Sequence, residues 1–440
     1  MSLTDRVARA ASDSSQRQES QQMKAQAVSR LKYQVQTQLD TDNLASLAVE
    51  NPQRARNEVK AVCRAVLASA EWGAFDESEQ GKLIEEVLDS VFGFGPLESL
   101  IADETVTEVM VNGTSSVYFE RDGKLFASQQ TFDDESQVRA IIDKILGPIG
   151  RRIDEASPMV NARLEQGHRV NAIIPPLSLI GPVLTIRKFT EHVITLEEME
   201  DLGSIDKPTR LFLGWAVQMR KNLAVSGGTG SGKTTLLNAL SCVISHDERI
   251  ITIEDSAELR FLEHPHVVRL EARPRNAEGL GEVTIRDLVV NALRMRPDRI
   301  VVGEVRGSEA LDMLQAMTTG HDGSLTTLHA DSPKEVISRL TTMVRYDADL
   351  PVDVIESYIA SAIDIVVQTA RALDGSRFVS DIVGIDFDSE LGKCIILPFF
   401  SRGLLESRGH WTAIPAWVDD LPSFGYASEC EVNAWKQSLR

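Results

Sequence analysis

The chain has 440 residues, of which 42% are hydrophobic and 25% charged. That balance is close to the average for folded domains, and the length allows two or three of them. A formal net charge of −19 with a sequence pI near 4.9 argues against general binding to nucleic acid or anionic membrane, which needs an excess of lysine and arginine. The four cysteines, Cys63, Cys242, Cys394 and Cys430, are scattered without a C-x-x-C pair, so reduced thiols are expected and no zinc site.

The opening stretch MSLTDRVARAASDSSQRQES lacks the apolar segment of a signal peptide, and no run reaches the ~18 apolar residues of a spanning helix. The longest apolar stretch is broken by Pro175, Pro176 and Pro182. A cytoplasmic protein, peripheral to a membrane only through partners, is expected. Residues 1–22, rich in Ser and Gln, read as disordered. From 23 to 92 apolar residues recur at helical spacing, as in Ala25, Val28, Leu31, Val35 and again in Val59, Val62, Val66, which predicts a helical module. Residues 93–190 change texture: the alternating segment VTEVMVNGTSSVYFERDGKLF turns at Asn112–Gly113 and Asp122–Gly123, both hairpin signals. A helix over about 134–146 and further strands make this a small α/β domain. An acidic linker over 191–208 precedes a segment, 209–370, in which apolar strands alternate with helices in the manner of a mostly parallel sheet. Residues 371–440 predict two strands and an irregular tail.

The segment NLAVSGGTGSGKTTLLNAL supplies strand, Gly-rich loop and helix in that order. It fits the phosphate-loop pattern G-x-x-x-x-G-K-[ST] at Gly227, Gly232, Lys233 and Thr234. Gly227, Gly228, Thr229, Gly230, Ser231 and Gly232 allow backbone N–H groups to wrap a β-phosphate, and Thr235 continues the cradle into the helix. Lys233 bridges β- and γ-phosphates, and Thr234 offers its hydroxyl to Mg²⁺. Two strands then end in acid: RIITIEDSAELRF in Glu254, Asp255 and Glu258, and DRIVVGEVRGSEAL in Gly303–Glu304. Such carboxylates either serve hydrolysis, one orienting water and one supporting the metal shell, or are solvated strand ends. The segment TTGHDGSLTTLHAD places His321 and His329 in what reads as one Gly-flanked strand. They are read either as γ-phosphate sensors or as structural histidines.

Taken together, the phosphate loop, TIEDSAE, VVGEVRG and GHDGSLTTLHA resemble, in that order, the secretion ATPase superfamily of type II secretion, type IV pili and type IV secretion. The upstream segments GFGPLESLIADETVTEVMVNG and SPMVNARLEQGHRVNAIIPP look most like the branch with the tight-adherence (Flp/Tad) pilus ATPases and type IV secretion traffic ATPases. The resemblance covers roughly 90–370. It implies a RecA-like ATPase domain, ATP and Mg²⁺ as cofactors, a homo-hexamer, and an inner-membrane platform protein as partner. By the family pattern Glu258 acts on the water, while Glu304 stands in the place of the usual metal-supporting Asp and acts on the metal indirectly. The same comparison favours Arg163, Arg169 and Arg187 as contributors of positive charge to the phosphates, ahead of Arg294, Arg296 and Arg306. Pilus assembly of the tight-adherence type is the leading expectation and type IV secretion traffic the alternative. A RecA-like nucleic-acid translocase is opposed by the acidic composition, a nonhydrolysing scaffold by intact Lys233, Glu258 and Glu304, and a small-molecule kinase by the lack of an acceptor-binding lid.

Overall fold

Helical spacing of apolar residues builds the first ordered elements of the computed structural model. It describes residues 27–439 apart from 29, 36, 40–46, 48–50, 74, 122, 165, 190–192, 262–263, 274, 276–279 and 407. The expectations for 1–22, Ala25, Asp122 and the first linker residues lie outside the described residues. The chain divides into two compact units, Met1–Thr190 and Glu191–Arg440.

In the first unit, α1 (Pro52–Leu67) starts where the Asn51 side chain accepts the Arg54 N–H, with proline in the first turn. It lays Val59, Cys63 and Val66 against Leu83, Ile84, Val87 and Leu88 of α2 (Glu77–Phe92). Asp76 and Glu79 cap α2 reciprocally, which satisfies two otherwise orphaned N–H groups. The short α3 (Glu98–Ala102) leads into β1 (Val106–Asn112), β2 (Ser116–Arg121) and β3 (Lys124–Ala127). The helix α4 (Glu135–Leu146), capped by Asp134, covers the sheet with Val138, Ile141, Ile142 and Ile145. The strands β4 (Met159–Arg163), β5 (Arg169–Ile173) and β6 (Val183–Arg187) complete an antiparallel sheet of order β3-β2-β1-β6-β5-β4.

The second unit opens with a helix in the segment expected to be linker. Thr195 and Glu198 form a capping box that starts α5 (Leu196–Asp201), and Leu196 and Met199 are buried. The T-x-x-E signature outweighs the acidic composition that suggested a linker. Next come α6 (Lys207–Gln218), β7 (Leu223–Gly227), α7 (Lys233–Ser241), β8 (Ile250–Glu254) and β9 (Val267–Glu271). They are followed by α8 (Ile285–Ala292), β10 (Arg299–Val302), α9 (Glu309–Thr318), β11 (Leu325–His329), α10 (Pro333–Val344), α11 (Val352–Ala362) and β12 (Ile365–Arg371). The strands β12, β7, β11, β10, β8 and β9 lie side by side in that order, and each adjacent pair is parallel. Alternate residues leave opposite faces: Leu223 and Val225 join one core, Ala224 the other. Burial on both faces explains the near-continuous apolar runs of the inner strands.

The tail is more regular than its sequence suggests. After β12 the same sheet continues antiparallel through β13 (Arg377–Asp388), β14 (Lys393–Ser401) and β15 (His410–Trp411). Then α12 (Leu421–Phe424) and α13 (Glu429–Ser438) return over α6. Trp411, Trp417 and Trp435 surround the fully buried Phe212, and the Trp435 indole N–H donates to Pro208 O at 2.9 Å. Aromatic packing orders a segment that carries few apolar runs.

Candidate active site

Parallel pairing brings the C-terminal ends of β7, β8, β10 and β11 to one edge of the sheet, where open α/β sheets hold their ligands. Gly227 pairs with His329, and Val302 with Ile253 and Thr326. The loop leaving β7 needs its glycines. Gly227, Gly230 and Gly232 have φ of 155°, 71° and 97°, where side chains are strained. A Cβ on Gly227 would meet Thr369 Oγ1 at 2.4 Å and Ser231 Oγ at 2.5 Å, whereas at Gly228 it would meet nothing within 4 Å. One side of the loop is packed and the other open, as a phosphate cradle requires. Thr229 and Gly230 are exposed, and Thr234 and Thr235 are half-buried.

Lys233, 8% exposed, donates to Gly227 O at 3.0 Å and Gly228 O at 2.9 Å. It also lies 3.3 Å from His329 Nδ1. His329 Nε2 stands 3.1 Å from Glu304 Oε1, and Arg306 donates to Glu304 Oε2 at 2.6 Å. Burial, and then the Lys233 ammonium, hold the imidazole below its ordinary pKa. A neutral ring presents its Nδ1 lone pair to the ammonium, while Nε2 is close to Glu304 Oε1 without an aligned hydrogen bond. Burial also lowers Lys233, and the nearby Glu304 opposes that shift. Lys233, His329, Glu304 and Arg306 thus form one row of close polar contacts, hydrogen-bonded at its two ends.

Glu254 does work the sequence did not assign to it. Its Oε1 accepts the Glu258 N–H at 2.7 Å and the Leu259 N–H at 2.9 Å, so it fixes the turn that carries Glu258. Its Cγ lies 2.8 Å from where a Cβ on Gly303 would be. This explains the Gly–Glu step: the residue before Glu304 must be glycine because the buried Glu254 side chain fills its space. The signal was the apolar run IITI, which buries the strand end and with it the first acid. Burial raises the Glu254 carboxyl to about 7 from an ordinary 4.5, against the two N–H donors. The folded state therefore keeps a proton that the unfolded chain has released. Its stabilising contribution is present at low pH and is lost as pH rises from about 4.5 through about 7, a change of roughly 3 kcal/mol. Glu254→Gln should therefore gain thermal stability relative to the parent chain between about pH 5 and about pH 8. A difference between the two melting curves that is flat across that range would refute the assignment.

The predicted residues do not all meet. His321 precedes β11 and binds Ala316 O at 3.1 Å through Nδ1. It is not in the strand with His329 but at its opposite end, because Gly323 and Ser324 turn the chain before Leu325. A sensor role for His321 at this sheet edge is therefore corrected. Arg294 bonds Val290 O on its own helix at 3.1 Å, and Arg296 sits exposed at φ 55° before β10. In the first unit, Arg163, Arg169 and Arg187 stand opposite one another in register across β4, β5 and β6. Sequence spacing alone did not show that row. Arg163 also lies over the Phe189 ring at 5.6 Å.

The chain matches the Type II/IV secretion system protein family over residues 91–379. A protein named for conjugal transfer in Mycobacterium tuberculosis is 40% identical over 296 residues, 66% of this chain and 84% of that one. The type IV secretion system protein VirB11 of Brucella suis biovar 1 is 32% identical over 320 residues, 66% of this chain and 89% of its own. A crystal structure of the VirB11 ATPase from the Brucella suis type IV secretion system aligns at 31% identity, over 68% of this chain and 95% of that one, with a TM-score of 0.36. No helix among the described residues is long and apolar enough to cross a membrane. With the phosphate loop, the paired acids and His329 gathered at one sheet edge, the family match identifies the chain as a member of the type II/IV secretion ATPase superfamily.

Proposed function

We propose that this ATPase is a ring-forming motor that hydrolyses ATP on the loop 227–235 and drives pilus assembly or secretion at an inner-membrane platform. The observation that carries the proposal is the row Lys233–His329–Glu304–Arg306, which links the phosphate cradle to an acid and an exposed cation. In this reading a RecA-like domain over 209–370 follows a smaller α/β domain (93–190) and a helical module (23–92), with 191–208, expected as a linker, carrying the packed helix α5. Residues 371–440 form an extension beyond it.

Lys233 holds the β- and γ-phosphates, and His329, touching both Lys233 and Glu304, reports whether the γ-phosphate is present. Glu258, on the turn fixed by Glu254, orients the water and takes its proton. Glu304 has its two oxygens beside His329 and Arg306, so it positions rather than deprotonates. Mg²⁺ would be held by the Thr234 hydroxyl and phosphate oxygens, with Glu304 acting indirectly, and would neutralise charge developing on the phosphates. From the family resemblance, Arg163, Arg169 and Arg187 are assigned the role of adding positive charge to the nucleotide phosphates.

Two kinds of work fit this engine. Assembly of a tight-adherence pilus is one, and a helical module ahead of the α/β domain favours it. Traffic through a type IV secretion system is the other, and the names of the M. tuberculosis and Brucella relatives favour it. Cross-linking in native cells followed by identification of the captured inner-membrane protein separates them: a pilus platform supports the first, a secretion channel the second. Sedimentation with a nonhydrolysable ATP analogue should show a hexamer, and a monomer with saturating nucleotide would remove the ring from the proposal.

A further inference from the structure

The hairpin joining β12 to β13 lies beside the phosphate loop, and the γ-phosphate chemistry described above does not use it. β7 has two neighbours in the sheet, β11 on one flank and β12 on the other. Lys233, His329, Glu304 and Glu258 all belong to the loop itself or to the flank of β11, β10 and β8. On the other flank, β12 pairs Thr369 with Gly227 and then runs two residues further to Arg371. There the chain turns through Asp374, whose Oδ1 is taken by the Ser376 backbone and hydroxyl, and returns at Arg377.

Arg371 and Arg377 are directly opposed in register and both exposed. The hairpin thus brings two cationic side chains to one register position at the end of β12. Arg377 Nε donates to Gly230 O at 3.0 Å, and its Cδ lies 3.5 Å from where a Cβ on Gly232 would be. Arg371 Nη1 lies 3.7 Å from the corresponding position at Gly230. Both guanidinium groups therefore border Gly230–Gly232, the stretch whose N–H groups wrap the phosphate. With Nε engaged, the terminal nitrogens of Arg377 make no hydrogen bond among the described residues, and guanidinium donors match phosphate oxygens in pairs.

We infer that Arg371 and Arg377 clamp the part of the nucleotide that ATP and ADP share, the α-phosphate and sugar end, where it leaves the loop on the β12 flank. The inference rests on the phosphate-loop reading above. It follows from direction: if the γ-phosphate faces Lys233 and His329, the rest of the nucleotide leaves toward the opposite flank. The clamp therefore holds substrate and product alike and sets how long ADP stays.

The test uses the full chain, with equilibrium titration of a fluorescent ADP and a nonhydrolysable ATP analogue, alongside steady-state turnover. Arg371→Ala and Arg377→Ala should each weaken both nucleotides by a common factor of about ten. The loss should fall on KM far more than on kcat, with partial recovery in the Lys variants. Arg371→Ala tests the clamp while leaving the Arg377–Gly230 O contact in place. Melting curves run alongside confirm that each variant is folded. Unaltered affinity for both nucleotides in both folded variants would overturn the clamp. So would a fall in kcat with affinity retained, which would mark the hairpin as a prop for the loop. Failure of the underlying reading looks different: Lys233→Ala would then bind and hydrolyse like the parent chain.

Discussion

Replacing Lys233 by Ala should lower steady-state phosphate release by about a thousandfold or more, because a buried charge aimed at the phosphates is worth several kcal/mol in the transition state. The ammonium bridges two loop carbonyls and the His329 ring, so its removal also takes the partner from Nδ1. His329 would then be free to titrate nearer its ordinary pKa, since the Lys233 charge that helps depress it is gone. The loss must appear in a chain that still melts cooperatively. Parental turnover in a folded Lys233→Ala variant would take the loop out of the reaction.

The second large effect is expected at the acids. Glu304→Gln preserves the shape of the side chain but removes the negative charge set between Arg306 and His329. Glu258→Gln removes the base while its backbone stays anchored on Glu254. Both variants should bind a fluorescent ATP analogue within a few-fold of the parent, and each should hydrolyse ATP about a hundredfold more slowly or worse. Their salt and pH profiles should differ. Glu304→Gln frees Arg306, whose pKa is raised chiefly by its hydrogen bond to Glu304, whereas Glu258→Gln leaves that pair intact. If either variant turns over at the parental rate, its role in the proposal is wrong.

The parts of this site that could be read from the chain are those whose backbone demands restrict the sequence. Gly227, Gly230 and Gly232 are legible because other residues are strained at their φ angles, and the apolar strands because they are covered on both faces. What could not be read depends on pairing across long sequence separations. The row of Arg163, Arg169 and Arg187 exists only once three strands fall into register. The same is true of Arg371 and Arg377, which lie just where the recognisable motifs end. His321 was misplaced because a Gly–Ser turn and a strand start share the same small residues, and only pairing shows that β11 begins at Leu325. Glu254 was visible as an acid, but its space-filling role against Gly303 needs two strand ends side by side.

The nest of tryptophans around Phe212 changes what counts as the end of the ATPase. Similarity to the family stops at residue 379, inside β13, yet the wall that closes the core over α6 is built from Trp411, Trp417 and Trp435. α6 ends a few residues before the strand that delivers the phosphate loop. A chain stopped at 379 would keep every side chain proposed to contact the phosphates and still leave the helix behind that loop with one face open to water. Whatever sequence stands in this tail is thus bounded by a volume to be filled. A relative with a different ending has to supply its own bulky lid to the position of Phe212, or do without a bulky residue there.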